Sequence, residues 1–122
     1  MTVHHHLTTY ANENLRNSTG IVIPVYLQPG NRESGEATLL EDTARAFGRQ
    51  VNNSRHICLA VDGEGFGDEQ VETIARRTNV KFAVASCNRG KFNAVRVGVQ
   101  ALWGDSLKYF AVVDQDGDHF AN

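Results

Sequence analysis

The sequence predicts an α/β fold, an open and mainly parallel sheet with alternating strands and helices, and three observations carry that reading. Short apolar runs recur along the chain. Segments with helical spacing separate them. Each run ends in a cluster of turn-forming or charged residues. At 122 residues the chain holds one domain at most.

Residues 1–19 are polar and without periodicity, and read as a flexible tail outside the core. The histidine cluster His4, His5 and His6 belongs to it. From Gly20 the character changes. Ile21 to Tyr26 is a nearly unbroken apolar run, as a strand covered on both faces requires. Pro24 cannot donate to a ladder, which places it at a sheet edge or a strand end. Turn formers fill Gln28 to Gly35. Leu40, Ala44, Phe47 and Val51 then recur at helical spacing.

His56 to Val61 reads as the second strand, closed by Asp62 and a glycine-rich turn from Gly63 to Gly67. Asp68 is placed to cap a helix that carries Val71, Ile74, Ala75 and Thr78 on one side. Val80 to Ala85 forms the third strand, and Asn88-Arg89-Gly90 its turn. Phe92, Val95, Val99 and Leu102 mark the third helix. Tyr109 to Val113 is the fourth strand and runs into Asp114-Gln115-Asp116-Gly117-Asp118.

The totals exclude several classes of function. A formal charge of −2, with the basic residues scattered, offers no stripe for nucleic acid. No apolar run reaches the ~18–20 residues that cross a bilayer. No secretory pattern opens the chain, and Cys58 and Cys87 lack metal-site spacing, so the reading is cytoplasmic with two reduced thiols.

Chemistry gathers at the strand ends. Ligands of open parallel sheets bind beyond the carboxyl ends of the strands. Tyr26, Asp62, Asn88 to Lys91, and Asp114 with Asp116 all fall there, while the opposite rim has no paired carboxylates. Asp114 and Asp116 stand two apart, so on extended backbone both point to one side. Two such carboxylates repel unless a cation offsets them, and a hard divalent ion sharing its shell with a diphosphate answers that need. A solvated acidic turn is the competing explanation. Gly63, Gly65 and Gly67 miss the dinucleotide-binding spacing, because Asp68 stands where the last glycine belongs. The aspartates also miss the calcium-loop pattern, because His119 replaces its glycine. Arg89 and Lys91, where a helix begins, suit phosphate.

These residues together resemble the family 2 glycosyltransferases. Ile21-Val22-Ile23-Pro24-Val25-Tyr26 resembles the family's opening strand. Asp62 resembles the aspartate that binds the donor base. Asn88-Arg89-Gly90-Lys91 is similar to its Asn-x-Gly-Lys segment, and Asp114-Gln115-Asp116 to its D-x-D motif. The order and spacing agree over residues 20–118. The resemblance implies a GT-A fold of Rossmann-like type and a nucleoside-diphosphate sugar donor, UDP-sugar or GDP-sugar. It also implies Mg²⁺ or Mn²⁺ held by Asp116 and Asp114, and sugar transfer of the hexosyltransferase kind. Pro24, Tyr26, Asp62, Asn88, Arg89, Lys91 and Asp114 would form the donor site.

Three departures accompany the resemblance. Gly63 stands where a second acidic residue is common. Arg96-Val97-Gly98 replaces Asn-x-Gly. The sequence ends at Asn122, so residues 20–122 read as a donor-binding portion truncated after the motif, with no residue assignable as catalytic base. Two alternatives follow. One is a non-catalytic nucleotide-binding or interaction module that self-associates through the truncated edge. The other is a haloacid-dehalogenase-like phosphatase with Asp114 as nucleophile and Asp116 as acid/base.

Overall fold

A computed structural model describes residues 15–29, 35–104 and 106–115. Residues 1–14, with the histidine cluster, and residues 116–122, with Asp116 and Asp118, lie outside them.

The chain forms an α/β domain around a four-stranded, all-parallel sheet. The elements run β1 (Thr19–Val25), α1 (Glu36–Gln50), a single 3₁₀ turn (Ser54–His56), β2 (Ile57–Val61), α2 (Asp68–Thr78), β3 (Lys81–Val84), α3 (Lys91–Leu102) and β4 (Tyr109–Val112). Strand order across the sheet is β3-β2-β1-β4. A helical turn over residues 15–18 leads into β1. Among the described residues no helix is long and apolar enough to cross a membrane.

The two central strands explain their own composition. β2 is buried at all five positions, Ile-Cys-Leu-Ala-Val, because helices cover both faces. On one face Ile21, Ile23, Val25, Ile57, Leu59 and Val61 pack with Leu40 of α1 and with Val71 and Ile74 of α2. On the other, Val22, Cys58 and Ala60 meet Ala94 and Leu102 of α3. Burial pushes the Cys58 thiol up to about 12, so it stays protonated and packs as a small apolar group. α1 and α2 are also joined at the surface, where Glu41 meets Arg45 at 2.8 Å and Arg77 at 3.2 Å. The Arg45 guanidinium, helped by Arg77, holds the Glu41 carboxyl below its usual range against the opposing effect of burial.

The face of α3 differs from its expected one. Phe92, one of the four residues whose spacing marks this helix, is 92% exposed. The buried residues are Ala94, Gly98 and Leu102, with Val95 and Val99 on the flank. The helix lies so close to the sheet that its contact line is made of small residues, and size-weighted apolar spacing passes over such a line. A Cβ on Gly98 would stand 2.5 Å from Val22 Cγ1 and 3.1 Å from Ala60 Cβ.

One further detail departs from expectation and another meets it, since Pro24 takes the strand-end position. Gly67, not Asp68, is the residue before α2, and Asp68 is its first helical residue. The Asp68 carboxylate instead turns back to accept from Gly65 N–H at 3.1 Å, which braces the glycine-rich turn. Pro24 lies in a central strand but at its end. Val113 N–H donates to Val22 O at 3.1 Å, so alternate residues of β1 face β4, and Pro24 falls in that set. Its missing donor therefore points past the last β1–β4 pair, Val22 with Val112, and costs no ladder bond.

Candidate functional site

In the order β3-β2-β1-β4 the connection reverses direction between β1 and β4, and their carboxyl ends splay around a crevice at that point. The crevice holds a cavity of about 280 Å³ lined by Pro24, Val25, Tyr26, Asp62, Lys91, Asp114 and Gln115. It lies near the lower end of the range for small-molecule sites, roughly 300–1,000 Å³. Five of the proposed donor-site residues thus share one cavity. Asn88 and Arg89 do not line it and stand exposed on the turn before α3.

Lys91 is the first residue of α3, and its ammonium reaches across the crevice to Asp114 Oδ1 at 2.7 Å. Both side chains remain substantially open to solvent, so the pair contributes little to stability, roughly 0–1 kcal/mol. Its effect is positional. It fixes one cation and one anion side by side at the mouth of the cavity.

Asp62 continues β2, and its own N–H donates to Val25 O at 2.9 Å. It is only 8% exposed. Its Oδ1 accepts from Arg89 N–H at 3.2 Å and Gly90 N–H at 3.1 Å, so it serves the donors at the start of α3. The anion position expected there for phosphate is held by this carboxylate. That leaves the side chain of Lys91, rather than those backbone donors, as the cavity's cation.

Gly63 follows at φ +105, and a Cβ there would lie 2.8 Å from Asn88 N. A side chain at this position would push away the backbone that Asp62 holds. The crowding accounts for glycine where the resembled family often has an acidic residue.

Two residues of the site carried no assignment from sequence. Gln115 accepts from Tyr26 N–H through Oε1 at 2.7 Å and donates to Tyr26 O through Nε2 at 3.2 Å. Its amide does what the next residue of a strand would do, beyond the point where Pro24 ends the ladder. A β-like partner for Tyr26 is a tertiary property, and the only local hint was an amide between two aspartates. Phe66 stacks on Tyr26, ring centroids 5.0 Å apart and 16° from parallel, and Phe66 O accepts from Leu27 N–H at 2.8 Å. One aromatic alone in the run Gly-Glu-Gly-Phe-Gly was the available signal.

The opposite rim uses its polar residues for closure. Arg55 donates to the carbonyls of Asn79 and Val80 at 3.2 and 3.3 Å, where α2 ends. Lys81 donates to Ala101 O in the last turn of α3 at 3.3 Å. Both cations answer helix carboxyl ends. A larger groove of about 430 Å³ lies between α1 and β4, but among the described residues Arg16 is the only charged one in its wall. The crevice has less volume and far more chemistry.

Among the described residues no group of three or more His, Cys, Asp or Glu gathers as a metal cluster. Comparison with protein families, with curated proteins and with solved structures finds no match.

Proposed function

We infer that this chain is the donor-binding portion of a metal-assisted glycosyltransferase of the family 2 type, taking a UDP-sugar or GDP-sugar. The observation that carries the reading is the meeting of Pro24, Tyr26, Asp62, Lys91 and Asp114 around one cavity at the reversal point of the sheet.

A nucleoside diphosphate presents a planar base and a run of negative charge. Tyr26, stacked on Phe66, offers a rigid aromatic edge beside the cavity. Lys91 offers the cation. Its present partner is Asp114, and donor phosphates would compete for the same ammonium at the cavity mouth. Asp62 acts on the donor from a fixed position, because two backbone N–H groups hold its carboxylate.

The donor set suits Mg²⁺ or Mn²⁺. Such an ion is commonly held by one or two carboxylates and completes its shell with water and substrate phosphate, so no larger protein cluster is needed. Asp114 lines the cavity with a carboxylate open to solvent, and Asp116 would be the second ligand. When bound, the ion supplies charge compensation for the departing diphosphate.

Calorimetric titration with UDP and with GDP, each with and without Mn²⁺, tests the reading on wild type and on Asp116→Ala. The expected result is metal-dependent binding of one nucleotide, weakened at least tenfold by the substitution.

One observation favours a second reading, a binding or interaction module without turnover. Asp62 and Asp114 both have protein partners, so neither carboxylate requires a ligand for charge balance. Failure of both nucleotides to bind a folded chain would select it.

A further inference from the structure

Two cations compete for the Asp114 carboxylate. Its Oδ1 accepts from the Lys91 ammonium at 2.7 Å. The same carboxylate is a ligand of the divalent ion in the donor-site reading, on which this inference rests. An ammonium and a divalent ion repel at contact distance, so Asp114 cannot serve one without loosening its hold on the other.

Both ends of the ion pair are anchored. Lys91 opens α3, and Asp62 holds that start by accepting from Arg89 N–H at 3.2 Å and Gly90 N–H at 3.1 Å. Asp114 is followed by Gln115, whose side-chain amide is bonded to Tyr26 N–H at 2.7 Å and to Tyr26 O at 3.2 Å. With the backbone tied on each side of the crevice, the Lys91 arm is the part left to move. It is a compact charge on a flexible four-carbon stem. Both side chains are partly open to solvent, so the pair is weak enough to exchange partners. A carboxylate offers the ammonium one negative charge, whereas a diphosphate offers more.

We propose that Lys91 is a tethered cation that holds the ion's place at Asp114 until a phosphate draws it away. In the resting chain the ammonium neutralises Asp114 and disfavours a bare ion. When a diphosphate reaches the cavity mouth, Lys91 swings to it and leaves Asp114 open. Lys91 and Asp114 then receive diphosphate and ion together, and each ligand raises the affinity for the other.

Backbone amide signals of Asp114 and Gln115 in a ¹⁵N-labelled chain, titrated at constant ionic strength, test this lock. The probes are Mg²⁺ alone and preformed Mg²⁺-pyrophosphate. Lys91→Met is expected to tighten Mg²⁺ alone by about threefold to fivefold, the range open to an exposed pair. The same change is expected to weaken Mg²⁺-pyrophosphate about tenfold, through loss of a charge-assisted contact. Lys91→Arg, which keeps the charge and the donors, is expected to stay near wild type with both probes. Arg96→Met removes the same charge from α3 where Arg96 donates to Asn93 Oδ1 at 2.9 Å, and is expected to leave the affinity for Mg²⁺ alone unchanged. If wild type binds Mg²⁺-pyrophosphate but Lys91→Met does not tighten Mg²⁺ alone, the lock is overturned and the donor-site reading stands. The lock is also overturned if Arg96→Met tightens Mg²⁺ equally, or if Lys91→Met keeps its affinity for Mg²⁺-pyrophosphate. If neither probe moves these signals in wild type or in Lys91→Met, the ion site itself falls, and the lock with it.

Discussion

Gly98→Ala lowers the stability of this protein, although the same change at an ordinary helical position raises it. An exposed helical glycine gains roughly 0.5–1 kcal/mol on becoming alanine. Here the new methyl would lie 2.5 Å from Val22 Cγ1, 3.1 Å from Ala60 Cβ and 3.3 Å from Val22 Cγ2. Both neighbours belong to the central strands and are fully buried, so neither has a free rotamer to move into. Overpacking of this kind costs about 1–3 kcal/mol and outweighs the gain in propensity. Urea denaturation is expected to show a lower midpoint with an unchanged slope. An equal or higher midpoint would mean that α3 stands further from the sheet than described.

Gly63→Ala is expected to act on stability and on the site at once. The residue sits at φ +105, outside the conformations open to alanine, and its Cβ would meet Asn88 N at 2.8 Å and Asn88 Cα at 3.0 Å. Strain and displacement together cost about 2–4 kcal/mol. The displaced backbone also leads into the Arg89 and Gly90 N–H groups that Asp62 accepts from, so the carboxylate loses its anchor. A thermal melt of Gly63→Ala beside Gly65→Ala checks this, since Gly65 has positive φ but nothing near its absent Cβ. Gly63→Ala should be clearly the less stable. Equal losses would leave the turn's φ angles as the whole cause.

The architecture was legible in the sequence because strand and helix periods differ and every segment here is short and well punctuated. His56 to Val61 read as a strand, and the structure begins it at Ile57 and buries all five of its residues. The rim of the site was legible for the same reason, since parallel strands deliver their carboxyl ends to one side. The seam of α3 was not legible. Ala94 and Gly98 carry almost no apolar weight, and Phe92 carries a great deal, yet depth of approach selects the small residues. Partners within the site were also hidden. No spacing rule tells that Asp62 would take the N–H groups at the start of α3, or that Gln115 would stand in for a strand residue beside Tyr26. The positions facing the crevice follow from local order, but their bonding follows from how the loops pack.

The central claim is that a nucleoside diphosphate and a divalent ion meet between β1 and β4. Paramagnetic relaxation tests it most directly. A ¹⁵N-labelled chain receives substoichiometric Mn²⁺ together with UDP, and in parallel with GDP. With one of the two nucleotides, amide signals of Tyr26, Lys91, Asp114 and Gln115 should broaden first, while those of Arg55 and Asn79 on the opposite rim stay sharp. Broadening confined to the His4–His6 cluster, or absent with both nucleotides, would contradict the account.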